Sequence, residues 1–227
     1  MEKPELFDEW PEKYDAWFTT PIGLLVKKYE SDLLLELLKP KSDEFILDAG
    51  CGTGIFTLDL LSLGAHVIGV DLSLPMLSRA EQKTKGYYFQ AVFADISSLP
   101  FLENVFDRVV SVTTLEFIED AKRAIQELFR VTKKGGRIAV ATLNSLSPWA
   151  ERRKAEAKEG HPLFKKAIFR SPDELLAAAP VKGVIRTAIH FQKKDDPTHA
   201  PQIEKEGQRR GLKTGAFLVG CWEKPEG

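Results

Sequence analysis

The stretch FILDAGCGTG, from Phe45 to Gly54, decides the fold of this 227-residue chain. A short apolar run leads into Asp48 and then into glycines at every second position. This pattern predicts a buried strand that breaks into a tight turn and continues into a helix. Glycine lets the backbone bend sharply and approach a ligand, and the free N–H groups at the start of the helix face the same point. The stretch therefore predicts a cofactor site.

The chain between this stretch and residue 143 alternates predicted helices and strands. We expect helices at 55–63, 75–85 and 121–131, strands at 66–70, 87–94, 106–112 and 137–143, and a turn at Gly135–Gly136. Such alternation implies an α/β fold with a mostly parallel sheet and helices on both faces. Right-handed crossovers then bring the strand ends that carry Asp48, Asp71 and Asp95 to one edge of the sheet.

The segments on either side of this core complete a single domain. Residues 1–40 are predicted to form an N-terminal helical arm, rich in aromatic residues, that either packs on the core or acts as a lid over the site. Its main helix starts at Pro21 and ends before Pro40. Residues 41–143 are the cofactor-binding core. Residues 144–214 form a substrate-side insert and loop, and residues 215–227 hold the last strand.

The insert has a less regular pattern than the core. Helices are predicted at 147–160 and at 171–179, the second opened by an N-cap at Ser171, and a strand over 184–191. The polar stretch 192–214 is predicted to be a loop, and 216–222 to be the final strand. A closing strand after such a loop suggests a hairpin at the edge of the sheet.

Composition narrows the class of protein. We find no apolar run long enough to span a bilayer and no signal-peptide pattern at the start, so a cytoplasmic protein is expected. Cys51 and Cys221 alone predict reduced thiols, with neither a disulfide framework nor a metal site. Residues 1–143 carry 16 Lys/Arg against 22 Asp/Glu, whereas residues 144–227 carry 16 against 11. The basic second part is either an anion-binding surface or an ordinary solvated face.

The spacing of the glycines bears on the ligand. Dinucleotides and S-adenosylmethionine both bind at such turns, and the dinucleotide fingerprint places glycines at relative positions 1, 3 and 6. Counting from Gly50, the sixth position is Ile55, and the third glycine comes early at Gly54. The turn therefore departs from the dinucleotide pattern, although a glycine turn alone is a weak signal.

Five motifs taken together resemble the class I S-adenosylmethionine-dependent methyltransferases. They are FILDAGCGTG, GVDLSLPML, ADISSLPF, FDRVVSVTTLEFIED and GGRIAVATLN, in the order and spacing of that family. The chain is most similar to the branch that includes the ubiquinone and menaquinone biosynthesis methyltransferases, over residues 14–143. The resemblance implies a Rossmann-like sheet of seven strands with an antiparallel last strand. It also implies S-adenosyl-L-methionine as co-substrate and S-adenosyl-L-homocysteine as product.

The resemblance also implies a set of cofactor contacts. Asp71 would take both ribose hydroxyls, because the two acceptor oxygens of a carboxylate match a vicinal diol. The remaining implied contacts are Gly50, Cys51, Gly52 and Gly54 along the methionine part and ribose, Leu72 and Met76 on the adenine, Asp95 and the Ile96 backbone at its exocyclic amine, Thr113 at the amino group and Tyr14 at the carboxylate. Each has an ordinary alternative: an acidic residue often caps a helix, and methionine often fills a core. Asp48 is expected to orient the turn through backbone hydrogen bonds.

No catalytic residue is assigned, because a methyl group on a sulfonium is already activated. The protein mainly has to align the acceptor and exclude water, and a base is needed only if the acceptor must lose a proton. Many relatives have Leu-Glu-His after the fourth strand, where this chain has Leu115, Glu116 and Phe117. Glu116 is either a substitute base or, in the simpler interpretation, a cap or surface salt bridge. His161, His190 and His199 are expected to be structural or exposed.

The predicted acceptor is a small molecule. No Asn-Pro-Pro-Tyr or Asp-Pro-Pro-Tyr motif follows the fourth strand, and Cys51 belongs to the glycine turn, so base or glutamine methylation is disfavoured. Two alternatives stay open: a protein or RNA methyltransferase that docks through its basic second part, and a cofactor-binding protein without catalysis. A nucleic-acid partner is not expected, and the protein is expected to be a monomer or homodimer. Candidate pocket or rim residues are Trp149, Arg152, Arg153, Phe164, Lys165, Lys166, Phe169 and Arg170.

Overall fold

Seven strands form one sheet in the computed structural model, which describes residues 6–226. They are β1 Phe45–Ala49, β2 His66–Asp71, β3 Phe89–Phe93, β4 Phe106–Val112, β5 Thr132–Leu143, β6 Val184–Ala188 and β7 Phe217–Glu223. Their order across the sheet is β3-β2-β1-β4-β5-β7-β6. Strand β7 runs antiparallel to both of its neighbours, and the other neighbouring strands are parallel. The predicted Rossmann-like fold is confirmed.

Eight α-helices connect and flank these strands within the described residues. They are α1 Pro11–Trp17, α2 Pro21–Leu38, α3 Thr57–Ser62, α4 Leu74–Lys83, α5 Ala121–Val131, α6 Pro148–Lys158, α7 Pro172–Ala178 and α8 Ala200–Arg209. The Ser171 side chain caps α7 in a capping box with Glu174, as its N-cap position predicts. Residues 1–5, which belong to the predicted arm, and Gly227 lie outside the described residues.

The core is divided by the sheet into two apolar layers. Successive side chains of a strand point to opposite faces, so Ile46 belongs to the apolar cluster that includes residues of α2 and α3, and Leu47 belongs to the cluster that includes residues of α5 and α7. Both residues are fully buried. A central strand with apolar residues on both faces requires helices on both sides, and this requirement fixes β1, and the turn that follows it, in the middle of the molecule.

The predicted turn at Gly135–Gly136 is wrong. Strand β5 begins directly after α5 and includes both glycines. The Gly135 N–H donates to the Lys224 carbonyl at 2.8 Å, and the Lys224 N–H donates to the Gly136 carbonyl at 2.9 Å. Gly135 has a φ of +70° and the register against β4 shifts at this point, so the glycines form an irregularity inside the strand.

The predicted loop over 192–214 is also wrong, because it contains α8. This helix is polar on most of its surface and buries only Ala200, Glu204 and Gly207. The Glu204 carboxylate accepts a hydrogen bond from the His190 backbone N–H at 2.6 Å. A Cβ on Gly207 would lie 2.2 Å from the His190 ring. The face of α8 that meets the fold therefore holds one small apolar residue, one acid and one glycine, so it lacks the large apolar side chains that identify other helices in the sequence.

Two compositional expectations can be compared directly with the structure. Cys51 and Cys221 are both free and buried. Within residues 6–226, none of the helices combines the length and the apolar character that crossing a bilayer requires.

Candidate functional site

A cavity of about 220 Å³ opens where β1, β2, β3 and β4 reach their carboxyl ends. This is the position that parallel connections predict for a ligand site in an open α/β sheet. Every predicted cofactor-binding residue except Gly54 lines the cavity: Tyr14, Gly50, Cys51, Gly52, Asp71, Leu72, Met76, Asp95, Ile96 and Thr113. The strand-end residues that are distant in sequence are therefore brought together as the alternating pattern indicates.

The glycine turn needs its glycines for different reasons at different positions. Gly50 and Gly52 have φ values of +81° and +52°, which favour glycine. A Cβ on Gly50 would lie 2.2 Å from the Thr114 hydroxyl oxygen, whereas a Cβ on Gly52 would meet no atom within 4 Å. Gly50 is therefore required by protein packing. Gly52 borders open space in the cavity, where a ligand can approach its backbone.

Gly54 lies outside the cavity and contacts α4 instead. Its φ is +76°, and a Cβ would lie 3.2 Å from the Cα and Cβ of Ala80. The third glycine therefore brings the turn close to a neighbouring helix. The structure does not bring Gly54 to the site where the sequence motif suggests a cofactor contact.

Asp71 joins the glycine turn to the end of β2. One carboxylate oxygen accepts from the Gly52 N–H at 2.9 Å and the other accepts from the Ser73 N–H at 2.9 Å. Burial raises the pKa of Asp71, although its backbone hydrogen bonds act in the opposite direction. Each oxygen retains a further lone pair, so the carboxylate can accept two more hydrogen bonds from a ligand.

The next part of the cavity wall follows β3 and the start of α4. Asp95 accepts from the Ser97 N–H at 2.7 Å, so it also fulfils the ordinary role of a turn residue. Ile96 and Met76 are buried, while Leu72 is 42% exposed beside the cavity. Two carboxylates at strand ends and an apolar surface between them can accommodate a ligand with hydroxyls, an amine and a flat ring.

Thr113 has a backbone conformation that is uncommon for a threonine. Its φ is +48°, and its N–H donates to the Ala141 carbonyl at 2.9 Å. Strained residues of this kind occur at ligand sites, where the surrounding structure holds them. Tyr14 reaches the same position from the arm: burial and the charge of Glu30 raise the pKa of Tyr14, and a hydrogen bond with Thr113 opposes them.

Asp48 lies beneath the turn and is buried. It accepts from the Thr57 hydroxyl at 2.6 Å and so ties β1 to α3. The expected backbone hydrogen bonds to the turn are not found in the described part of the chain, where the Gly50 and Cys51 N–H groups donate to the Val70 carbonyl instead. Burial raises the pKa of Asp48 to about 7 despite the hydrogen bond from Thr57. The proton of Asp48 is therefore held up to near-neutral pH.

The N-terminal arm supplies two wall residues that the sequence analysis does not identify. Leu6 and Phe7 line the cavity together with Tyr14, which is a predicted cofactor contact. The Phe7 ring packs edge-on against Phe117, with ring centroids 4.7 Å apart. Two features of the sequence are consistent with this contact: the arm is rich in aromatic residues, and Phe117 stands where many relatives have histidine. Neither feature by itself predicts that the two rings meet.

A polar cluster fixes the arm over this site. Asp15 of α1 accepts hydrogen bonds from the Arg79 Nε at 2.9 Å, from the Thr53 hydroxyl at 2.7 Å and from Lys83. Burial alone would raise the pKa of Asp15, but the hydrogen bonds from Lys83, Thr53 and Arg79 lower it. Asp15 is therefore ionised at neutral pH and links α1 to both α4 and the glycine turn.

The interpretation of Glu116 as a cap or surface salt bridge is wrong. Its side chain is fully buried, and one carboxyl oxygen accepts from the Thr142 hydroxyl at 3.1 Å. The other oxygen, Oε1, is buried and has no hydrogen-bond partner in the described part of the chain. Within residues 6–226 Glu116 forms no ion pair, and it does not line the cavity. The turn Leu115–Phe117 directs Phe117 to the cavity and Glu116 away from it.

The candidate rim residues of the insert take several different places. Arg170 donates to the Leu115 and Ile118 carbonyls at 2.6 and 2.8 Å, so it braces the turn around Glu116. Lys165 and Lys166 are exposed. Phe169 lies 6.0 Å from the Lys154 Nζ of α6. The remaining residues form one group: Arg152 and Arg153 lie over the buried Trp149 ring, and Arg153 also lies over the Phe164 ring.

Comparison with known proteins identifies relatives of this architecture. Residues 47–140 match the family model described as a methyltransferase domain. The chain is 30% identical to a malonyl-[acyl-carrier protein] O-methyltransferase of Pseudescherichia vulneris, over 88% of this chain and 90% of the relative. It is 27% identical to a demethylmenaquinone methyltransferase of Thermobifida fusca, over 74% and 79%. The crystal structure of an S-adenosylmethionine-dependent methyltransferase from Thermotoga maritima superimposes with a TM-score of 0.71, at 22% identity over 96% and 98%.

The first prediction concerns the two glycines. We expect Gly50→Ala to lower stability strongly, because its Cβ meets Thr114, and Gly52→Ala to cost only about 1 kcal/mol for its backbone conformation. Gly52→Ala should instead weaken cofactor binding, because the added methyl group enters the cavity. Thermal unfolding and calorimetry with S-adenosylhomocysteine measure the two effects. Equal losses of stability in the two variants would contradict this assignment.

The second prediction concerns the pH dependence of stability. Asp48 keeps its proton to about pH 7 in the folded state, whereas an unfolded aspartate releases it near pH 4. Its contribution to the free energy of unfolding is therefore lost as pH rises between these values. The side-chain amide of the Asp48→Asn variant is neutral throughout and can still accept from Thr57. We expect the variant to gain on the order of 2 kcal/mol over the wild type between pH 5 and pH 8.

Urea unfolding at the two pH values provides the measurement. Asp32, which is exposed and ion-paired with Lys28, supplies the matched control, and Asp32→Asn should show little change between pH 5 and pH 8. If the free energies of unfolding of Asp48→Asn and the wild type differ by the same amount at both pH values, Asp48 is already ionised at pH 5.

Proposed function

Because the chain belongs to the class I S-adenosylmethionine-dependent methyltransferases, we propose that the cavity at the ends of β1 to β4 holds this co-substrate and presents it to a small-molecule acceptor. The observation that carries the proposal is the Asp71 carboxylate, which lies at the end of β2 and is bonded to Gly52 of the turn. A carboxylate in this position can accept from both hydroxyls of a ribose while it holds the turn in place.

The residues present fit the co-substrate in three respects. Gly52 leaves open space beside the backbone, where a larger side chain would intrude. Asp71 and Asp95 place acceptor oxygens at two adjacent strand ends. Leu72 and Met76 supply an apolar surface for a flat ring. We assign the ribose to Asp71, the adenine to Leu72, Met76, Asp95 and Ile96, and the methionine part to Tyr14, Gly50, Cys51, Gly52 and Thr113.

The protein contributes mainly by binding, orienting and excluding water. S-adenosylmethionine held in the cavity would supply a methyl group on a positively charged sulfur: the lone pair of the acceptor atom would form the new bond to the methyl carbon while the C–S bond breaks and leaves neutral S-adenosylhomocysteine. Phe7 of the arm packs on Phe117 at the edge of the cavity and shields it from solvent. Positioning of the acceptor in such an enclosed site can contribute roughly 7 to 11 kcal/mol. Glu116 does not line this cavity, so we assign it no role as a base.

The acceptor cannot be taken over from the relatives. The two curated relatives are named for different acceptors, a malonyl group on acyl-carrier protein and demethylmenaquinone. No observation favours a protein or RNA methyltransferase or a protein without catalysis. Location in the cytoplasm, the absence of a nucleic-acid partner and a monomeric or homodimeric state stay predictions from the sequence.

The proposal is tested by the effect of Asp71 on binding. Removal of a charged acceptor of two hydrogen bonds costs at least about tenfold in affinity, so Asp71→Ala should weaken S-adenosylhomocysteine binding by that factor or more. Asp32→Asn is the control and should bind normally, because Asp32 does not line the cavity. Calorimetry gives both affinities, and unfolding measurements establish that each variant is folded. An unchanged affinity in folded Asp71→Ala would refute the ribose assignment.

The arm provides a second test. If α1 covers the bound co-substrate, Asp15→Ala should loosen it, because the variant removes the acceptor of three hydrogen bonds that link α1 to α4 and the turn. We expect faster hydrogen exchange in residues 6–18 and a faster release of S-adenosylhomocysteine, while exchange in β1 and β4 stays unchanged. The exposed Glu12 on the same helix gives the control variant Glu12→Ala. Unchanged exchange and release in Asp15→Ala would show that the arm is held by its apolar contacts alone.

A further inference from the structure

The two edge strands of the sheet, β6 and β3, differ in how they are protected from pairing with another strand. Strand β6 carries Arg186, which is exposed and lies 3.6 Å from a carboxylate oxygen of Glu36. A charged side chain, a proline or a bulge on an edge strand discourages such pairing. Residues 87–93, with the sequence YYFQAVF, contain no charged residue and no proline, and β3 keeps a regular register with β2. The β3 edge is therefore unprotected.

Strand β3 also directs free backbone groups outward. Within residues 6–226 it pairs only with β2, and alternate residues of a parallel strand bond to the neighbouring strand. The Tyr88 carbonyl accepts from β2 and the Ala94 N–H donates to β2, so the even-numbered residues of this stretch face β2. The residues whose N–H and C=O groups face away from the sheet are Phe89, Ala91 and Phe93.

The outward groups of β3 complement a second copy of the same strand. The Phe89 N–H already donates to the Tyr87 carbonyl at 2.9 Å, which leaves the N–H groups of Ala91 and Phe93 as donors and the carbonyls of Phe89 and Ala91 as acceptors. In an antiparallel pair with Ala91 opposite Ala91 of the second copy, these two residues exchange both hydrogen bonds. Each Phe93 N–H then meets the Phe89 carbonyl of the other copy.

Exposed apolar side chains lie along the same edge of the molecule. Tyr88 and Phe93, at the two ends of β3, are 74% and 56% exposed. Leu72 and Leu74, which directly follow β2 at the end where Phe93 lies, are 42% and 62% exposed. A concentration of exposed apolar residues around an unpaired strand is typical of an interaction surface. The antiparallel pair would place each Phe93 ring opposite Phe89 of the second copy, an aromatic pair that stabilises a sheet.

The charges that flank β3 favour the antiparallel orientation. Lys85 precedes the strand, Asp95 follows it, and both are exposed. Antiparallel pairing of two copies brings the basic start of one strand toward the acidic end of the other, whereas parallel pairing would bring like charges together. The antiparallel arrangement also has two-fold symmetry, so the contact closes after two copies. Backbone groups, side chains and charges thus all match a second copy of this chain.

We propose that β3 is the interface of a homodimer. The β3 strands of two copies pair antiparallel about a two-fold axis at Ala91 and join the two sheets into one. Asp95 and Ile96, which line the methyl-donor cavity, follow β3 directly, so each cavity lies beside the interface. The proposal does not depend on which ligand this cavity holds.

Sedimentation equilibrium of the full chain measures the association. We expect a species of twice 25.4 kDa that dissociates on dilution. Ala91→Pro removes a donor that β2 does not use, and an edge strand tolerates proline where its N–H faces outward. Phe93→Lys instead introduces the kind of charge that protects natural edges. Each variant should weaken the dimer at least about tenfold, and urea unfolding establishes that it is folded.

Two matched controls separate the β3 edge from general effects. Ala91→Ser keeps the outward N–H and should change the dissociation constant by less than about twofold. Val184, at the start of β6, is 56% exposed, as Phe93 is. Val184→Lys therefore places the same charge on the other edge of the sheet and should leave the dimer unchanged.

Disulfide crosslinking tests the register. Residues directly opposite each other in a hydrogen-bonded antiparallel pair have Cα atoms about 5.5 Å apart, a separation that a disulfide spans. Ala91→Cys should therefore crosslink two copies in oxidised glutathione, as followed on a non-reducing gel. Gln90→Cys is the control: Gln90 would lie opposite Val92 of the second copy, so the two introduced thiols should be too far apart. The native Cys51 and Cys221 are buried.

Three outcomes would overturn the proposal. A wild type that stays monomeric at high micromolar concentration would leave this edge to a strand of another protein and exclude a second copy. Unchanged association in folded Ala91→Pro and Phe93→Lys, or an equal loss in Val184→Lys, would show that the dimer forms elsewhere. Crosslinking of Gln90→Cys as fast as that of Ala91→Cys would refute the two-fold axis at Ala91.

Discussion

The contact between the Asp71 carboxylate and the Gly52 N–H is the constraint on which the site depends. It joins the end of β2 to the turn after β1, two segments that a parallel sheet brings side by side. The turn can take this position only because Gly50 and Gly52 adopt backbone conformations that other residues avoid. Asp71 therefore holds the turn together with the Val70 carbonyl, which accepts from the Gly50 and Cys51 N–H groups, and its carboxylate keeps acceptor capacity for a ligand.

The core of the sheet, the N-terminal arm and the insert surround this contact. Apolar residues on both faces of β1 require helices on both sides and hold the turn at the centre of the sheet. Above the turn, the arm is fastened by Asp15 and closes one side of the cavity with Phe7. Beyond the arm, the insert places the charged Arg153 among aromatic rings. In the function that we propose, the sheet builds the side that holds the methyl donor, and the arm and the insert lie on the side where the acceptor would enter.

Much of the donor side can be predicted from the sequence because its signals are local. The glycines, the acidic strand ends and the alternating pattern each lie within a few residues, and the parallel topology then assembles them. Gly54 shows the limit of this reasoning, because a glycine of the same motif serves packing against α4. Helix α8 was not predicted because it lacks a stripe of large apolar residues. A buried Glu204, which accepts from the His190 backbone N–H, anchors the helix instead. The burial of Glu116 could not be predicted either, because the neighbouring residues in the sequence do not distinguish a buried acid from one at the surface.

The most direct test of the donor site is a crystal structure of the protein with S-adenosylhomocysteine. We expect the ligand to occupy the cavity at the ends of β1 to β4, with both ribose hydroxyls on Asp71, the adenine against Met76 and the sulfur directed toward the side where Tyr14 lies. A ligand bound elsewhere, or one whose ribose does not touch Asp71, would contradict the assignment of this cavity.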